Sequence, residues 1–356
     1  MSYEYDLHYH HELIQKKSKY VSQGLSGLTN LGNKCFMNSV LQCLSNTLRL
    51  SDYFLSTKYR LDDPDQTNKK RKEYYVVLSY LNLIINMWET NQVLKPKSIV
   101  ENLSKFVPKY FTLDQQDSHE CLMYILDLLH KGISYEIEVD INGKIENETD
   151  ELMKQSLDQW AGFYERSYSF IVETFNGMFY NKINCNGCSF QENVFEPFNC
   201  MSLNIPQTES STLQDCLDNY FNVEERIDSW CCEKCKGSGC SKSIKTWSFP
   251  NYIIIHFKRF TNNGNKINTH IDFPTDDLNL TNYISSSKND PNNYIYSLYA
   301  INYHSGTSKG GHYWSCCKNL DKNWYLYNDT DVSKFQNNNL LCKDAYMLFY
   351  YRKYIK

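Results

Sequence analysis

One cysteine of this sequence stands where a turn passes into a helix, a position that suits a nucleophilic thiolate. A turn-prone stretch at residues 27–33 leads into Lys34 and Cys35, and the apolar residues that follow recur every four positions, which predicts a helix. Free N–H groups and the helix dipole favour a thiolate at such a start. Asn30 carries an amide N–H that could bind an oxyanion beside the sulfur. A buried structural cysteine fits this segment equally well, so the site needs a base.

A histidine and two polar residues far downstream complete the groups that thiol catalysis needs. His312 follows two glycines and opens a strand-like run, while Asn328 and Asp329 end an alternating aromatic strand. A thiolate nucleophile needs an imidazole to hold and return its proton, and a third group to fix the imidazole tautomer. Cys35, His312 and Asn328 supply these types in chain order. Asp329 is a second candidate for the third group.

Two further cysteine pairs have the spacing of metal-binding knuckles. They are C-x-x-C motifs formed by Cys185, Cys188, Cys232 and Cys235. Four thiolates make a closed, tetrahedral and structural zinc site without an open position for catalysis. The interval between the pairs is long for a compact zinc ribbon, and Cys231 and Cys240 lie close enough in sequence to substitute. Scattered reduced cysteines are the alternative.

The elements that must position these residues are helical first and extended later. Apolar stripes over residues 73–89 and 117–130 predict helices, whereas the acidic residues 136–158 predict a surface excursion. A helix is also predicted at residues 212–221, among strands at residues 253–260, 296–303, 312–318, 324–327 and 346–352. This order predicts an α+β architecture with antiparallel strands.

Composition limits the partners and the compartment. The 356 residues are 41% apolar, enough for one or two cores, and 29 tyrosines and 18 phenylalanines favour sheets. A net charge of -4 gives no electrostatic case for nucleic acid. The sequence has no signal-like start and no apolar run that predicts a membrane span. A reducing compartment explains the 14 cysteines better than a disulfide scaffold does, so we expect a cytoplasmic or nuclear protein.

The segments around Cys35 and His312 resemble the Cys box and the His box of the ubiquitin-specific protease family of deubiquitinases. Residues 115–120 are similar to that family's QQD-x-x-E segment, and residues 253–260 and 345–350 resemble further blocks. The likeness runs from residue 24 to the end of the chain. It implies a papain-like cysteine peptidase shaped as a right hand, with a helical thumb, an antiparallel β palm and zinc-bearing β fingers.

The resemblance also implies a catalytic domain at residues 24–356 and a cofactor. Residues 1–23, which precede that domain, are polar and carry histidines, so they are interpreted as a short N-terminal arm or a frayed helix. Zinc-bearing members hold one structural zinc ion at the fingertips, which here implies the four knuckle cysteines, and the chemistry itself needs no cofactor. Within the domain, the implied parts are a thumb at residues 24–165, a palm at residues 166–180 and 245–356, and fingers at residues 181–244.

The activity that the resemblance implies is hydrolysis of the isopeptide or peptide bond after the C-terminal Gly-Gly of ubiquitin, through an acyl-thioester on Cys35. Asn30 and the backbone N–H of Cys35 would bind the oxyanion, and His312, oriented by Asn328 or Asp329, would transfer protons. The implied partners are ubiquitin and ubiquitinated proteins, with the enzyme itself a monomer. The alternatives are a catalytically weak ubiquitin-binding scaffold, or the same hydrolase acting on a ubiquitin-like modifier.

Asp117 and Glu120 have two interpretations. An aspartate at a helix start with a glutamate three residues later resembles a capping box. In the family, the matching acidic pair faces the arginines of the ubiquitin tail. Three residues are expected to line the channel for that tail: Gln115, Gly311 and Tyr313.

Lys34 departs from the family, which usually has threonine before the nucleophile. Its cation could lower the pKa of Cys35, or its stem could carry the charge into solvent.

Overall fold

The computed structural model of the chain describes residues 22–56, 71–108, 110, 112, 114–261, 263–285, 294–307, 310–336 and 340–353. These residues form eight α-helices and fourteen strands in three sheets. The N-terminal arm expected at residues 1–23 lies almost entirely outside them. None of the helices in these ranges combines the length and apolar character that crossing a membrane requires.

Seven helices, called the thumb helices here, come first along the chain. They are α1 (Cys35–Ser45), α2 (Leu48–Leu55), α3 (Tyr74–Thr90), α4 (Lys97–Ser104), α5 (Ser118–Ile133), α6 (Glu148–Tyr164) and α7 (Phe170–Phe175). Every residue of α1 is buried, and its apolar side chains share one core with those of α3 and α5. Helix α1 is therefore held on all sides, which fixes the position of its first residue.

Helix α6 occupies the second part of the acidic surface excursion expected at residues 136–158. Residues 136–147 are irregular and mostly exposed, as expected, whereas residues 148–158 belong to the helix. Asn147 caps the helix by accepting a hydrogen bond from the backbone N–H of Asp150, and acidic residues in the first turn complement the helix dipole. Leu152 packs with Phe195 and Trp247, so the helix buries apolar surface despite its acidic composition. Packing on another element explains why this segment is ordered.

An eight-stranded sheet, called the palm sheet here, follows the thumb helices. With the strand ranges given at the end of this paragraph, its order is β13-β12-β11-β10-β14-β7-β3, and β9 pairs with β10. All its pairings are antiparallel except that of β3 with β7. Neighbouring residues alternate between two cores, for example Ala300 towards the thumb helices and Ile301 towards the opposite face. Its strands are β3 (Met201–Leu203), β7 (Tyr252–Phe257), β9 (Leu278–Asn279), β10 (Ile295–Thr307), β11 (Gly310–Lys318), β12 (Trp324–Asn328), β13 (Asp331–Phe335) and β14 (Ala345–Arg352).

A four-stranded fingers sheet has the order β2-β1-β6-β5 and is antiparallel throughout. Its strands are β1 (Gly177–Cys185), β2 (Gln191–Phe198), β5 (Glu225–Cys231) and β6 (Ser238–Ser248). The predicted helix near residue 212 is α8 (Leu213–Phe221), which begins with a capping box between Thr212 and Asp215. A small parallel pair, β4 (Ser210–Thr212) and β8 (His270–Asp272), completes the fold. The expected α+β fold with antiparallel sheets is confirmed.

Candidate active site

Cys35 is the first residue of α1, and only 2% of its surface is exposed. Gly32 and Asn33 have left-handed backbones, with φ of 80° and 53°, which turn the chain into the helix. Asn30 supports this turn because its Oδ1 accepts a hydrogen bond of 2.8 Å from the backbone N–H of Lys34. The sequence therefore delivers the thiol to the open end of a buried helix.

His312 lies on β11, and its Nε2 is 2.6 Å from Oδ1 of Asn328, the last residue of β12. Because a carbonyl oxygen only accepts, Nε2 carries the donated proton and Nδ1 of the neutral ring remains basic. Gly311 packs so closely that an added Cβ would lie 2.3 Å from the carbonyl oxygen of Ser305 and 2.3 Å from Nε2 of His304. This close approach requires glycine and fixes the backbone just before His312.

The two catalytic candidates meet where α1 packs against β11. The backbone N–H of Tyr313 donates a hydrogen bond to the sulfur of Cys35. Tyr313 is buried and directly follows His312 along the strand. The structure thus places the thiol of Cys35 against the strand that carries His312, and it pairs His312 with Asn328.

Asp329 joins the turn before Cys35 to the end of β12. Its Oδ2 accepts a hydrogen bond of 2.9 Å from Nδ2 of Asn30, and its Oδ1 accepts one of 2.8 Å from Nδ2 of Asn38. Its carboxylate is thus bonded to these amides, whereas the imidazole of His312 is bonded to Asn328. Sequence reasoning missed Asn38, although its place three residues after Cys35 on one helix face was an available signal.

The pKa of Cys35 is raised above its ordinary value, although the backbone N–H groups at the helix start favour the thiolate as expected. Burial is the largest cause, because it removes the hydration of the charged form, and the negative charge of Asp329 raises the pKa further. The backbone N–H groups of Tyr313 and Phe36 act in the opposite direction without outweighing burial. The resting group is a neutral thiol that needs a base.

Asp329→Asn is expected to lower the pKa of Cys35, because the substitution removes a negative charge that disfavours the thiolate. The pH profile of alkylation of Cys35 by iodoacetamide should move to lower pH. Asp331→Asn, which removes an exposed carboxylate two residues away, is the matched control and should leave the profile unchanged. An upward shift in the Asp329 variant would contradict this electrostatic account.

Gln115 connects the thumb side of the site to the palm sheet. Its Nε2 donates to the carbonyl oxygen of Gly311 and its Oε1 accepts from the N–H of Gly311, both at 2.5 Å. A side-chain amide that pairs with a backbone amide in this way fixes the separation of the two segments. Gly311 directly precedes His312 on β11, so the side chain of Gln115 is bound to the same strand that carries the imidazole.

The two acidic residues differ in their contacts: the carboxylate of Asp117 is hydrogen-bonded within the protein, whereas that of Glu120 is exposed. Asp117 caps α5, because its Oδ1 accepts a hydrogen bond of 2.6 Å from the backbone N–H of His119, and its Oδ2 accepts one of 2.6 Å from the hydroxyl of Tyr346. Glu120 lies in the first turn of α5 and is exposed. Burial and the nearby charge of Asp117 raise the pKa of Glu120. Glu120 is thus the carboxylate available to a partner, and Tyr346 is a contact that sequence reasoning missed.

Four cysteines meet at the tip of the fingers sheet. Antiparallel pairing of β1 with β6 puts the β1–β2 turn and the β5–β6 turn at one end, which explains the long interval between the two motifs. The sulfur atoms are 3.6 Å apart in one cross-pair and 3.8 Å apart in the other, and all four lie within 4.8 Å of one another. The residues, in these two pairs, are Cys185 with Cys235 and Cys188 with Cys232.

This geometry fits a tetrahedral metal ion, because Zn–S bonds of about 2.3 Å place the sulfur atoms about 3.8 Å apart. Neither neighbouring cysteine belongs to the group. Cys240 is buried on β6 opposite Cys185, and Cys231 is exposed with its sulfur 3.8 Å from the carbonyl oxygen of Lys236. The donor set could therefore hold one ion in a closed, structural site.

Comparison with known proteins gives matches over nearly the whole chain. A family model described as ubiquitin carboxyl-terminal hydrolase matches residues 26–350. Ubiquitin carboxyl-terminal hydrolase 2 of Homo sapiens is 34% identical over 345 residues, covering 92% of this chain and 55% of that protein. The protein of the same name from Gallus gallus is 34% identical over 350 residues, covering 94% of this chain and 95% of that protein. The chain spans about half the length of the human relative.

The fold is also similar to that of a solved structure. A chain of the SAGA Ubp8/Sgf11/Sus1/Sgf73 DUB module bound to ubiquitin aldehyde superimposes with a TM-score of 0.71 at 24% identity. The match covers 94% of this chain and 70% of that chain. Because that structure is an assembly of several subunits, it gives no support to the expected monomer, which stays a prediction.

Proposed function

The chain belongs to the ubiquitin carboxyl-terminal hydrolase family, and we propose that it is a deubiquitinating thiol hydrolase that cleaves the bond after the C-terminal glycine of ubiquitin. The observation that carries the proposal is the hydrogen bond between His312 and Asn328 beside the buried thiol of Cys35. The similar solved structure is a DUB module bound to ubiquitin aldehyde, and this supports the proposal that ubiquitin is the substrate.

The first step transfers the thiol proton of Cys35 to Nδ1 of His312, since Nε2 is already a donor to Asn328. The raised pKa of Cys35 makes this base necessary. The sulfur then attacks the carbonyl carbon of the terminal glycine and forms a tetrahedral oxyanion. The imidazolium of His312 protonates the leaving amine, the C–N bond breaks, and an acyl-thioester remains on Cys35.

The second step hydrolyses that thioester. A water molecule gives a proton to His312 and attacks the acyl carbon, and the C–S bond breaks as ubiquitin leaves with a free carboxylate. The thiolate of Cys35 takes the proton back. Asn328 keeps the ring in one orientation and one tautomer through both steps, because its carbonyl oxygen accepts from Nε2 at 2.6 Å.

Asn30 and the backbone N–H of Cys35 are the proposed donors to the oxyanion. Asn30 is held in the turn by the N–H of Lys34 and by Asp329, so one amide hydrogen is used and the second remains for substrate. A preorganised donor costs no rearrangement during reaction, and loss of one typically costs about 3 kcal/mol of transition-state stabilisation. Asp329 is a positioning residue in this scheme.

The tail of ubiquitin is proposed to lie between the thumb helices and the palm sheet. Gln115, Gly311 and Tyr313 are the residues proposed to line the approach to Cys35, since Gln115 pairs with Gly311 and the N–H of Tyr313 contacts the sulfur. The terminal glycines of ubiquitin would lie in this approach. Glu120, exposed at the start of α5, is the group that would face a tail arginine.

Glu120→Lys is expected to raise the KM for a ubiquitin substrate about fivefold with little change in kcat, because a surface charge pair is worth about 1 kcal/mol. Glu120 is the informative position because Asp117 also caps α5, so its replacement would destabilise the helix as well. The measurement is steady-state hydrolysis of a fluorogenic ubiquitin amide.

Asp127→Lys is the control, since Asp127 is a half-exposed acid of the same helix whose carboxylate pairs with Lys131. A double-mutant cycle between Glu120→Lys and neutralised tail arginines of ubiquitin should show coupling. Absence of coupling would leave Glu120 without a role in tail binding.

The experiment that tests the function compares hydrolysis of C-terminal fluorogenic amides of ubiquitin and of ubiquitin-like modifiers. The proposal expects turnover with ubiquitin and much slower turnover with the others. Binding of ubiquitin without turnover would favour the catalytically weak scaffold, and preference for another modifier would change the substrate. We further propose one zinc ion per chain at the four clustered cysteines, and a cytoplasmic or nuclear location.

A further inference from the structure

Lys34, the residue directly before the nucleophile, has its ammonium group inside the protein. Only 2% of the residue is exposed, so the possibility that its stem carries the charge into solvent is wrong. Nζ donates a hydrogen bond to the carbonyl oxygen of Thr112 and another, of 3.1 Å, to the carbonyl oxygen of Gly32. A buried ammonium is costly unless acceptors replace its water, and these carbonyls serve that purpose.

The two acceptors belong to different parts of the site. Gly32 lies in the turn that delivers Cys35 to α1, whereas Thr112 lies in the segment that leads to Gln115 and α5. The carboxylate of Asp114, in that same segment, acts on the charge of Lys34 and opposes the lowering of its pKa by burial. The cation therefore contacts the turn on one side and the Thr112 segment on the other.

The Thr112 segment is defined as residues 112 and 114–117, and besides the contact with Lys34 it has two further attachments. Gln115 pairs with the backbone of Gly311. Asp117 caps α5 and accepts a hydrogen bond from the hydroxyl of Tyr346. Of these attachments, only that of Lys34 reaches the turn beside Cys35. Without the ammonium, that end of the segment would lose its link to the nucleophile's turn.

We propose that Lys34 is a positioning residue that fixes the Thr112 segment against the turn of Cys35 and so sets the width of the channel for the substrate tail. The inference rests on the proposed function, because the tail is that of ubiquitin. Lys34 contributes binding geometry through Gln115 and Asp117 and takes no part in proton transfer.

A direct action of Lys34 on the thiolate is the competing interpretation. The groups with the largest influence on the pKa of Cys35 are its burial, the N–H of Tyr313 and the carboxylate of Asp329. Lys34 and Cys35 do interact, but the influence of Cys35 on the pKa of Lys34 is smaller than that of burial, Asp114 or Cys121. Its ammonium is instead directed at two carbonyl oxygens. The positioning role therefore predicts an effect on substrate binding and not on thiol ionisation.

The test uses Lys34→Met, which keeps the stem and removes the charge, with Lys34→Arg as the conservative variant. Lys34→Met should raise the KM for a fluorogenic ubiquitin amide about tenfold and change kcat less than about twofold. Amide hydrogen exchange around Thr112, measured without ubiquitin, should become faster. The alkylation profile of Cys35 should move little compared with the change in KM, because the interaction of Lys34 with Cys35 is a minor one. Lys34→Arg should keep most of the binding.

Lys97→Met is the matched control, because Lys97 is an exposed lysine of α4, and it should behave as wild type in each measurement. If Lys34→Met does not fold, Lys34→Gln is the replacement variant. It keeps an uncharged N–H donor group and should give a KM between those of the wild type and the value expected for Lys34→Met. Unchanged exchange around Thr112 would overturn the proposal, as would a shifted alkylation profile with an unchanged KM. A wild type inactive on ubiquitin would reject the proposed function, while the exchange experiment would still decide the role of Lys34.

Discussion

Replacing Cys35 by alanine is expected to reduce hydrolysis of a fluorogenic ubiquitin amide by about a thousandfold or more, because the proposed mechanism forms its acyl intermediate on Cys35. The N–H of Tyr313 donates to this sulfur, so it has the contact that a thiolate developing during attack would need. The alanine side chain is slightly smaller in a buried position, and the expected loss of folding stability is small compared with the catalytic loss. Steady-state kinetics and thermal unfolding on the same preparations separate the two effects.

Cys342→Ser is a suitable control, since Cys342 is a partly buried thiol outside the contacts described for the site. It should retain activity near that of the wild type. His312→Ala should resemble Cys35→Ala in kcat, because the raised pKa of Cys35 leaves a mostly neutral thiol without its base. Substantial turnover by the Cys35 variant would remove the proposed mechanism, and substantial turnover by the His312 variant would remove the proposed base.

Loss of the metal ion is the second large expected effect. Purified protein should contain nearly one zinc ion per chain, and the double variant Cys188→Ser with Cys235→Ser should contain almost none. Structural zinc sites bind with an apparent free energy of about 10 kcal/mol or more, which is coupled to folding. The turns that join β1 to β2 and β5 to β6 should therefore lose protection from hydrogen exchange, and the melting temperature should fall.

Cys231→Ser is the matched control for the metal site, because Cys231 is exposed in the same turn region but lies outside the sulfur cluster. Its zinc content should equal that of the wild type. Elemental analysis measures the zinc content, and mass spectrometry of amide hydrogen exchange measures the protection of the two turns. A wild type that is free of metal and fully stable would contradict the assignment, and loss of zinc in Cys231→Ser would change the ligand set.

Patterns within single elements were the part of this fold that the sequence made predictable. Period-four apolar residues after Cys35 indicated α1, and the structure begins that helix at the cysteine. The helix predicted at residues 212–221 is α8, and apolar or alternating runs between turns indicated the strands of the palm. The pairing of β1 with β6, which brings the two cysteine motifs together, is a non-local contact that no local pattern encodes.

The errors arose where tertiary contacts overruled local composition. The acidic segment before Tyr164 forms α6, because Leu152 finds apolar partners on the fingers sheet that sequence periodicity did not reveal. The N–H groups at the helix start favour the thiolate, but the pKa of Cys35 is raised because burial and Asp329 outweigh them. The burial of the Lys34 ammonium likewise depends on a hydrogen bond to the carbonyl oxygen of Thr112, which is distant in sequence.

Covalent capture by ubiquitin tests the central claim most directly. A ubiquitin with an electrophile in place of its C-terminal carboxylate should label the wild type at one site, and peptide mass spectrometry should locate the adduct on Cys35. Probes of the same chemistry built on ubiquitin-like modifiers should react much more slowly. An adduct on any other cysteine, or preferential labelling by another modifier, would contradict the account.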